Sequence, residues 1–206
     1  MALSSVILLF CVTVLTVHAQ SDLQTTKYRN MTIDLGDRVK TYARLNLPAN
    51  GDGPFPGVLL IHGSGGESVL SPTSPYTPIA EYLSERGFAV LQYNKRGIGE
   101  NDTLDSNVWG NLTINDLKQD AEKALDVLIQ QPEVDANRIT VLGHSEGTTI
   151  APRIAIDNPG KVKNVVLMAA VAQNMRDLLY FQGVTNPVNY AQQILDHNHD
   201  GLISVQ

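Results

Sequence analysis

Four short apolar runs dictate the architecture. Residues 57–61, 88–93, 138–142 and 162–170 are mostly apolar, show no strict polar alternation, and are too short for substantial helices. Strands buried on both faces carry this pattern, and they occur where helices cover both sides of a parallel sheet. Helical periodicity fills the gaps. Ile79, Tyr82 and Leu83 mark a helix that Gly87 stops, and Leu117, Ala121, Ala124, Leu125 and Leu128 mark an amphipathic helix over 114–131. Residues Gly147–Asp157 also read as helix, with Pro152 as a kink. Upstream, residues 27–33 and Val39–Leu47 alternate and are rich in β-branched and aromatic side chains, with Gly36-Asp37 between them. Buried strands alternating with helices predict an α/β fold, a mostly parallel, doubly wound sheet in three layers with right-handed crossovers.

The 206 residues allow one full domain, or one domain and a fragment. A net charge of −6 with no basic run argues against nucleic acid as a partner. The apolar run over residues 6–17, followed by Val17-His18-Ala19, reads as a signal peptide of residues 1–19 cleaved before Gln20. It falls short of the roughly 18 apolar residues of a membrane span. The expected location is therefore secreted or at the extracellular surface. Cys11, the single cysteine, would leave with that peptide, which excludes disulfides and thiolate chemistry from the mature chain. Asn30, Asn101 and Asn111 head Asn-x-Thr sequons compatible with export and glycosylation.

Two motifs carry chemistry. Gly143-His144-Ser145-Glu146-Gly147 stands between a buried strand and a helix. A sharp strand-to-helix turn there requires small residues around the serine and lifts its hydroxyl out at the carboxyl edge of the sheet. Ser145 is the candidate nucleophile, and the backbone N–H of Glu146 is a candidate oxyanion donor. His62-Gly63-Ser64-Gly65-Gly66 follows an earlier buried strand, where a second such donor, the N–H of Ser64, is expected. His62 lies beneath that loop and reads as a structural hydrogen-bonding residue rather than a base.

Together with Tyr93-Asn94-Lys95-Arg96-Gly97-Ile98-Gly99 and Val134-Asp135-Ala136-Asn137-Arg138-Ile139, these motifs resemble the α/β-hydrolase superfamily, in its serine aminopeptidase and lysophospholipase-like esterase branch. The resemblance covers about residues 28–172. It implies Ser145 as nucleophile, Ser64 and Glu146 as oxyanion-hole donors, and no cofactor for catalysis. Thr148 stands where many relatives carry another glycine, a departure expected to tighten the packing of the turn on its helix.

The superfamily orders its triad serine, acid, histidine, with the last two after later strands. Only one clear strand follows Ser145 here, so the acid and histidine are expected to be absent from this chain. Asp177 is a weak candidate for the acid, better read as a helix-surface residue. His197 and His199 fall within Asp196-His-Asn-His-Asp-Gly-Leu-Ile-Ser204, which resembles the start of an EF-hand or dockerin-like loop. In that loop Asp196, Asn198, Asp200, Leu202 and Ser204 are the candidate Ca²⁺ ligands, and the histidines point away.

The expected organisation is a hydrolase core over 20–172 and the start of a cap over 173–206, with a helix at 174–181 and the calcium loop at 196–206. The chain is expected to be C-terminally truncated, inactive alone and prone to aggregation. The function expected is that of a secreted serine hydrolase acting on small-molecule, lipid or peptide esters or amides. The alternative is a non-catalytic exported module whose calcium loop mediates adhesion or docking.

Overall fold

The computed structural model describes residues 26–36, 38–66, 68–198 and 200–203. The signal-peptide reading and Cys11 lie outside these, as do His199 and Ser204. Six strands form one sheet: β1 (Lys27–Gly36), β2 (Val39–Leu47), β3 (Phe55–Ile61), β4 (Ala89–Tyr93), β5 (Val134–His144) and β6 (Val162–Met168). Their spatial order is β1-β2-β4-β3-β5-β6. The hairpin β1–β2 joins antiparallel to β4, while β4, β3, β5 and β6 run parallel. The α/β fold expected from the apolar runs is the fold observed.

Side-chain alternation along the central strands divides the core in two. Leu59, Ile61, Leu91 and Val141 face the cluster containing Leu117, Ala121, Ala124, Leu125 and Leu128 of α3 (Ile114–Ile129) and Ile150, Ala151 and Ile154 of α4 (Gly147–Asp157). Val58, Leu60, Val90 and Leu142 face Tyr76 and, from α1 (Thr77–Ser84), Ala80. Thr113 starts α3 with a reciprocal cap: its hydroxyl accepts from the Asp116 N–H while the Asp116 carboxylate accepts from the Thr113 N–H. Gly87, with φ +91°, ends the turn after α1.

Two expectations need correction, and a third holds with an addition. Residues 162–170 do not form a fully buried strand: in β6 only Val162 is buried, and Val165, Val166 and Leu167 are 38–46% exposed. This strand is the last in the sheet order, and α4 packs against it from one side. An apolar edge of this kind is an aggregation hazard. β5 begins at Val134, ahead of the apolar run, because a register break opposite Pro56 and Gly57 absorbs its polar residues. The helix expected at 174–181 is α5 (Met175–Tyr180), which passes through a π-helical turn at Phe181–Thr185 into an unanticipated helix over Asn186–Leu195. One further short helix, α2 (Ser106–Trp109), precedes α3. Among the described residues no helix is long and apolar enough to cross a membrane.

Candidate active site

Because β4, β3 and β5 are parallel neighbours, the loops at their carboxyl ends converge. These are residues 94–99, 62–66 and 143–147. Ser145 sits at the turn from β5 into α4 with φ +49°, a conformation few L-residues adopt. Bonds on both sides hold it there. Its N–H donates to the Met168 carbonyl at 2.9 Å, and its own carbonyl accepts from the Thr148 N–H at 2.9 Å and the Thr148 hydroxyl at 2.6 Å. The flanking glycines are required by space: a Cβ on Gly143 would strike the Gly147 carbonyl, and one on Gly147 would strike the carbonyl of Ile61. A Cβ on Gly63 would stand 3.0 Å from the Ser145 Cβ, so the loop after β3 lies directly against the serine.

The loop after β4 distributes its residues to three different tasks. Asn94 accepts from the Val69 N–H at 2.7 Å and donates to the Ser68 hydroxyl at 3.1 Å, gathering the segment that leads to α1. Arg96 forms a two-pronged ion pair with Asp120 of α3, at 2.8 and 2.5 Å. Lys95, buried, donates to the Gly63 carbonyl and to Glu146 Oε1, each at 2.6 Å, with its Nζ 5.3 Å from the Trp109 ring centre. On the other side of Gly63, its N–H donates to the Tyr76 hydroxyl at 2.7 Å, and that hydroxyl lies 3.0 Å from His144 Nδ1. Lys95 and Tyr76 were missed as site residues from the sequence. The usable signal was a lysine and a glutamate in loops that the parallel order brings together.

His62 is buried, its Nε2 2.8 Å from the Tyr93 carbonyl. Burial first, then the charge of Lys95, pushes its pKa down to about 4. It is neutral at pH 7, and with Nε2 facing a carbonyl that nitrogen carries the proton. This is the structural role expected of it.

A family model for serine aminopeptidase, S33, matches residues 54–201. The chain belongs to that hydrolase family. Among curated relatives, the S33-type chain is 34% identical over 140 residues to Esterase EstD of Thermotoga maritima, which is 66% of this chain and 32% of that protein. Esterase FrsA of Yersinia pestis is 26% identical over 147 residues, 71% of this chain and 33% of the relative. The chain thus spans about a third of the length of these relatives. Among solved structures, dienelactone hydrolase from Anabaena variabilis superposes with a TM-score of 0.54 at 26% identity, covering 69% of this chain and 62% of that one. A bacterial heroin esterase gives 0.55 at 24% identity, covering 72% and 46%. The fold of the S33 hydrolase chain is that of these α/β proteins.

Two cavities open at the β5–α4 turn of this S33 hydrolase, one at Ser145 and one at Glu146. One, of about 350 Å³, is lined by Ser145, the segment 169–173, Leu178 and Gln182. The other, of about 310 Å³, places Ser64 and Glu146 on a common wall with Trp109, Leu112, Ile114 and Leu117. Glu146 is the N-cap of α4, where the first N–H groups have no partner within the helix.

The remaining candidates lie elsewhere. Asp177 is exposed in the first turn of α5, where Asn174 is the cap: the Asp177 N–H donates to Asn174 Oδ1 at 2.9 Å, and the Asn174 amide donates to the Asp177 carboxylate at 2.5 Å. Among the described residues no histidine hydrogen-bonds to the Ser145 hydroxyl; His197 is exposed beyond the last helix. The Asp196 carboxylate accepts from the N–H groups of Asp200 at 3.2 Å and Gly201 at 2.8 Å. The Asn198 amide donates to Asp200, whose carboxylate also accepts from the Leu202 N–H. The loop therefore closes on its own donors. Among the described residues no group of three or more His, Cys, Asp or Glu is arranged to hold a metal.

Proposed function

We propose that this chain carries the nucleophile and oxyanion hole of a serine hydrolase that acts on small carboxylic esters. Ser145 Oγ adds to the ester carbonyl as its proton passes to a base. The charge that develops on the carbonyl oxygen is met by the N–H groups of Ser64 and Glu146. Collapse expels the alcohol and leaves Ser145 acylated, and water then releases the acid. The observation that carries this reading is the left-handed turn at Ser145, φ +49°, packed against the Gly63-Ser64 loop. The esterase names of the curated relatives support an ester over an amide. The apolar wall of Trp109, Leu112, Ile114 and Leu117 suits a short apolar group on the substrate.

Without a base among the described histidines, turnover by these 206 residues is expected near background. Both acylation and deacylation then slow, so an activated ester should accumulate as acyl-enzyme. The test is incubation with p-nitrophenyl butyrate, with and without imidazole as a surrogate base, followed by peptide mass spectrometry. Butyrylation concentrated on Ser145, quickened by imidazole and absent in Ser145→Ala, is the expected result. Acylation scattered over surface lysines and unchanged in Ser145→Ala would overturn the reading and favour the non-catalytic module. The apolar run over 6–17 supports export with a mature terminus at Gln20. Amino-terminal sequencing of the secreted protein tests that.

A further inference from the structure

We propose that Lys95 is a positioning residue that sets both donors of the oxyanion hole, an inference whose catalytic consequence rests on the function proposed above. The Gly63 carbonyl and the Ser64 N–H belong to one trans peptide unit. That unit is planar, so the two groups point in opposite directions and fixing one fixes the other. The Lys95 ammonium donates to this carbonyl at 2.6 Å. The same nitrogen donates at 2.6 Å to the carboxylate of Glu146, the residue whose N–H is the second donor. One side chain thereby ties the loop after β3 to the turn at Ser145 and sets the spacing between two N–H groups from different elements.

A second connection acts on the opposite side of the same glycine. The Gly63 N–H donates to the Tyr76 hydroxyl, which meets His144. Gly63 is therefore held at both its N–H and its carbonyl, and both neighbours of Ser145 take part. A loop of sequence His62-Gly63-Ser64-Gly65-Gly66 has little side-chain mass to fix its own peptide planes, and glycine leaves those planes free to turn. Within the loop the Gly65 N–H reaches the Gly63 carbonyl at 2.9 Å, and the brace adds the tie to the neighbouring turn that this local bond does not give.

A merely structural role is a poor account of Lys95. Burying an ammonium is costly and gives less stability than an apolar side chain of the same volume. The loop after β4 is already anchored by Asn94 and by the Arg96–Asp120 pair. What Lys95 adds is a contact to the two segments that frame Ser145.

The test uses the 206-residue chain labelled with ¹⁵N. The heteronuclear NOE of the Ser64 amide is compared with those of Leu59, Leu91 and Val141 in the strands. In the wild type Ser64 is expected to match the strands. In Lys95→Met it falls to loop values while the strand amides hold, and Lys95→Arg restores it in part. Ser145 butyrylation in Lys95→Met slows by about 10–100-fold, less than the roughly 10²–10³-fold loss of a whole donor. If Lys95→Met fails to fold, Glu146→Gln weakens the same tie and should loosen Ser64 in the same direction. An unchanged Ser64 amide in the folded variants, or an equal loss of order across β3, β4 and β5, refutes the brace. Absence of Ser145 acylation in the wild type, with Ser64 responding as expected, refutes the hydrolase reading and leaves the brace standing.

Discussion

Replacing Asp120 by alanine removes the acceptor of a buried two-pronged pair and takes from the Arg96 guanidinium its carboxylate on α3. Asp120 is 1% exposed on α3, and the Arg96 side chain is 17% exposed at the carboxyl end of β4. Removing one partner of a buried pair typically costs about 3–5 kcal/mol, because the other charge is left uncompensated. Arg96 keeps some contact with water and has further partners, so a loss reaching somewhat below that range, about 2–4 kcal/mol, is expected here. For a chain of this size each kcal/mol corresponds to roughly 2–4 °C, giving a drop in Tm of about 4–16 °C. The assay is urea and thermal unfolding of the wild type, Asp120→Ala, Arg96→Met and the Arg96→Met/Asp120→Leu double variant. The double variant should recover most of the stability, since neither member of the buried pair is left without the other. A double variant that loses the sum of both single losses would refute the reasoning.

Gly147→Ala should block folding of the turn or abolish acylation of Ser145, because the added methyl meets the Ile61 backbone; peptide mass spectrometry with circular dichroism separates the two outcomes. His62 has a folded pKa near 4, below its unfolded value of about 6.5, so its contribution to stability is complete above about pH 6.5 and is lost as pH falls toward 4. The loss amounts to about 3 kcal/mol, and denaturant titrations at pH 7 and pH 4.5 should show this slope flattened in His62→Gln. Calorimetry with calcium chloride should find no micromolar binding, because the Asp196 carboxylate is turned to the Asp200 and Gly201 N–H groups.

The parts of the fold that were legible share a local cause. β3 is apolar throughout and β4 apolar but for Gln92, α3 repeats Leu117, Ala121, Leu125 and Leu128 behind a capping box, and the glycines around Ser145 announce a turn too tight for side chains. β6 has the composition of a buried strand, yet burial depends on what lies alongside, which composition does not carry. The start of β5 was hidden because Asp135 and Asn137 look like loop residues; Val134 and Asp135 pair with Phe55 and Pro56, and residues 136–138 fall in the register break that follows. The capping signal of Asn174 and Asp177 was present three residues apart and explains the acid without chemistry. The union of Lys95 with Glu146 spans 51 residues, and only the adjacency of β4, β3 and β5 brings the two together.

The Thr148 hydroxyl does more than tighten a helix start. It donates to the Ser145 carbonyl and accepts the Val171 N–H at 3.1 Å, while the Ser145 N–H reaches Met168 across the same gap. The segment 169–173, one wall of the cavity beside the serine, is therefore bolted to the serine's own peptide. A bulky group that pushes this wall outward would pull on the backbone of Ser145 through these bonds. On the function proposed above, these bonds would link the size of a ligand to the alignment of Ser145. A glycine at 148, having no hydroxyl, would let the wall yield while the serine stayed in place.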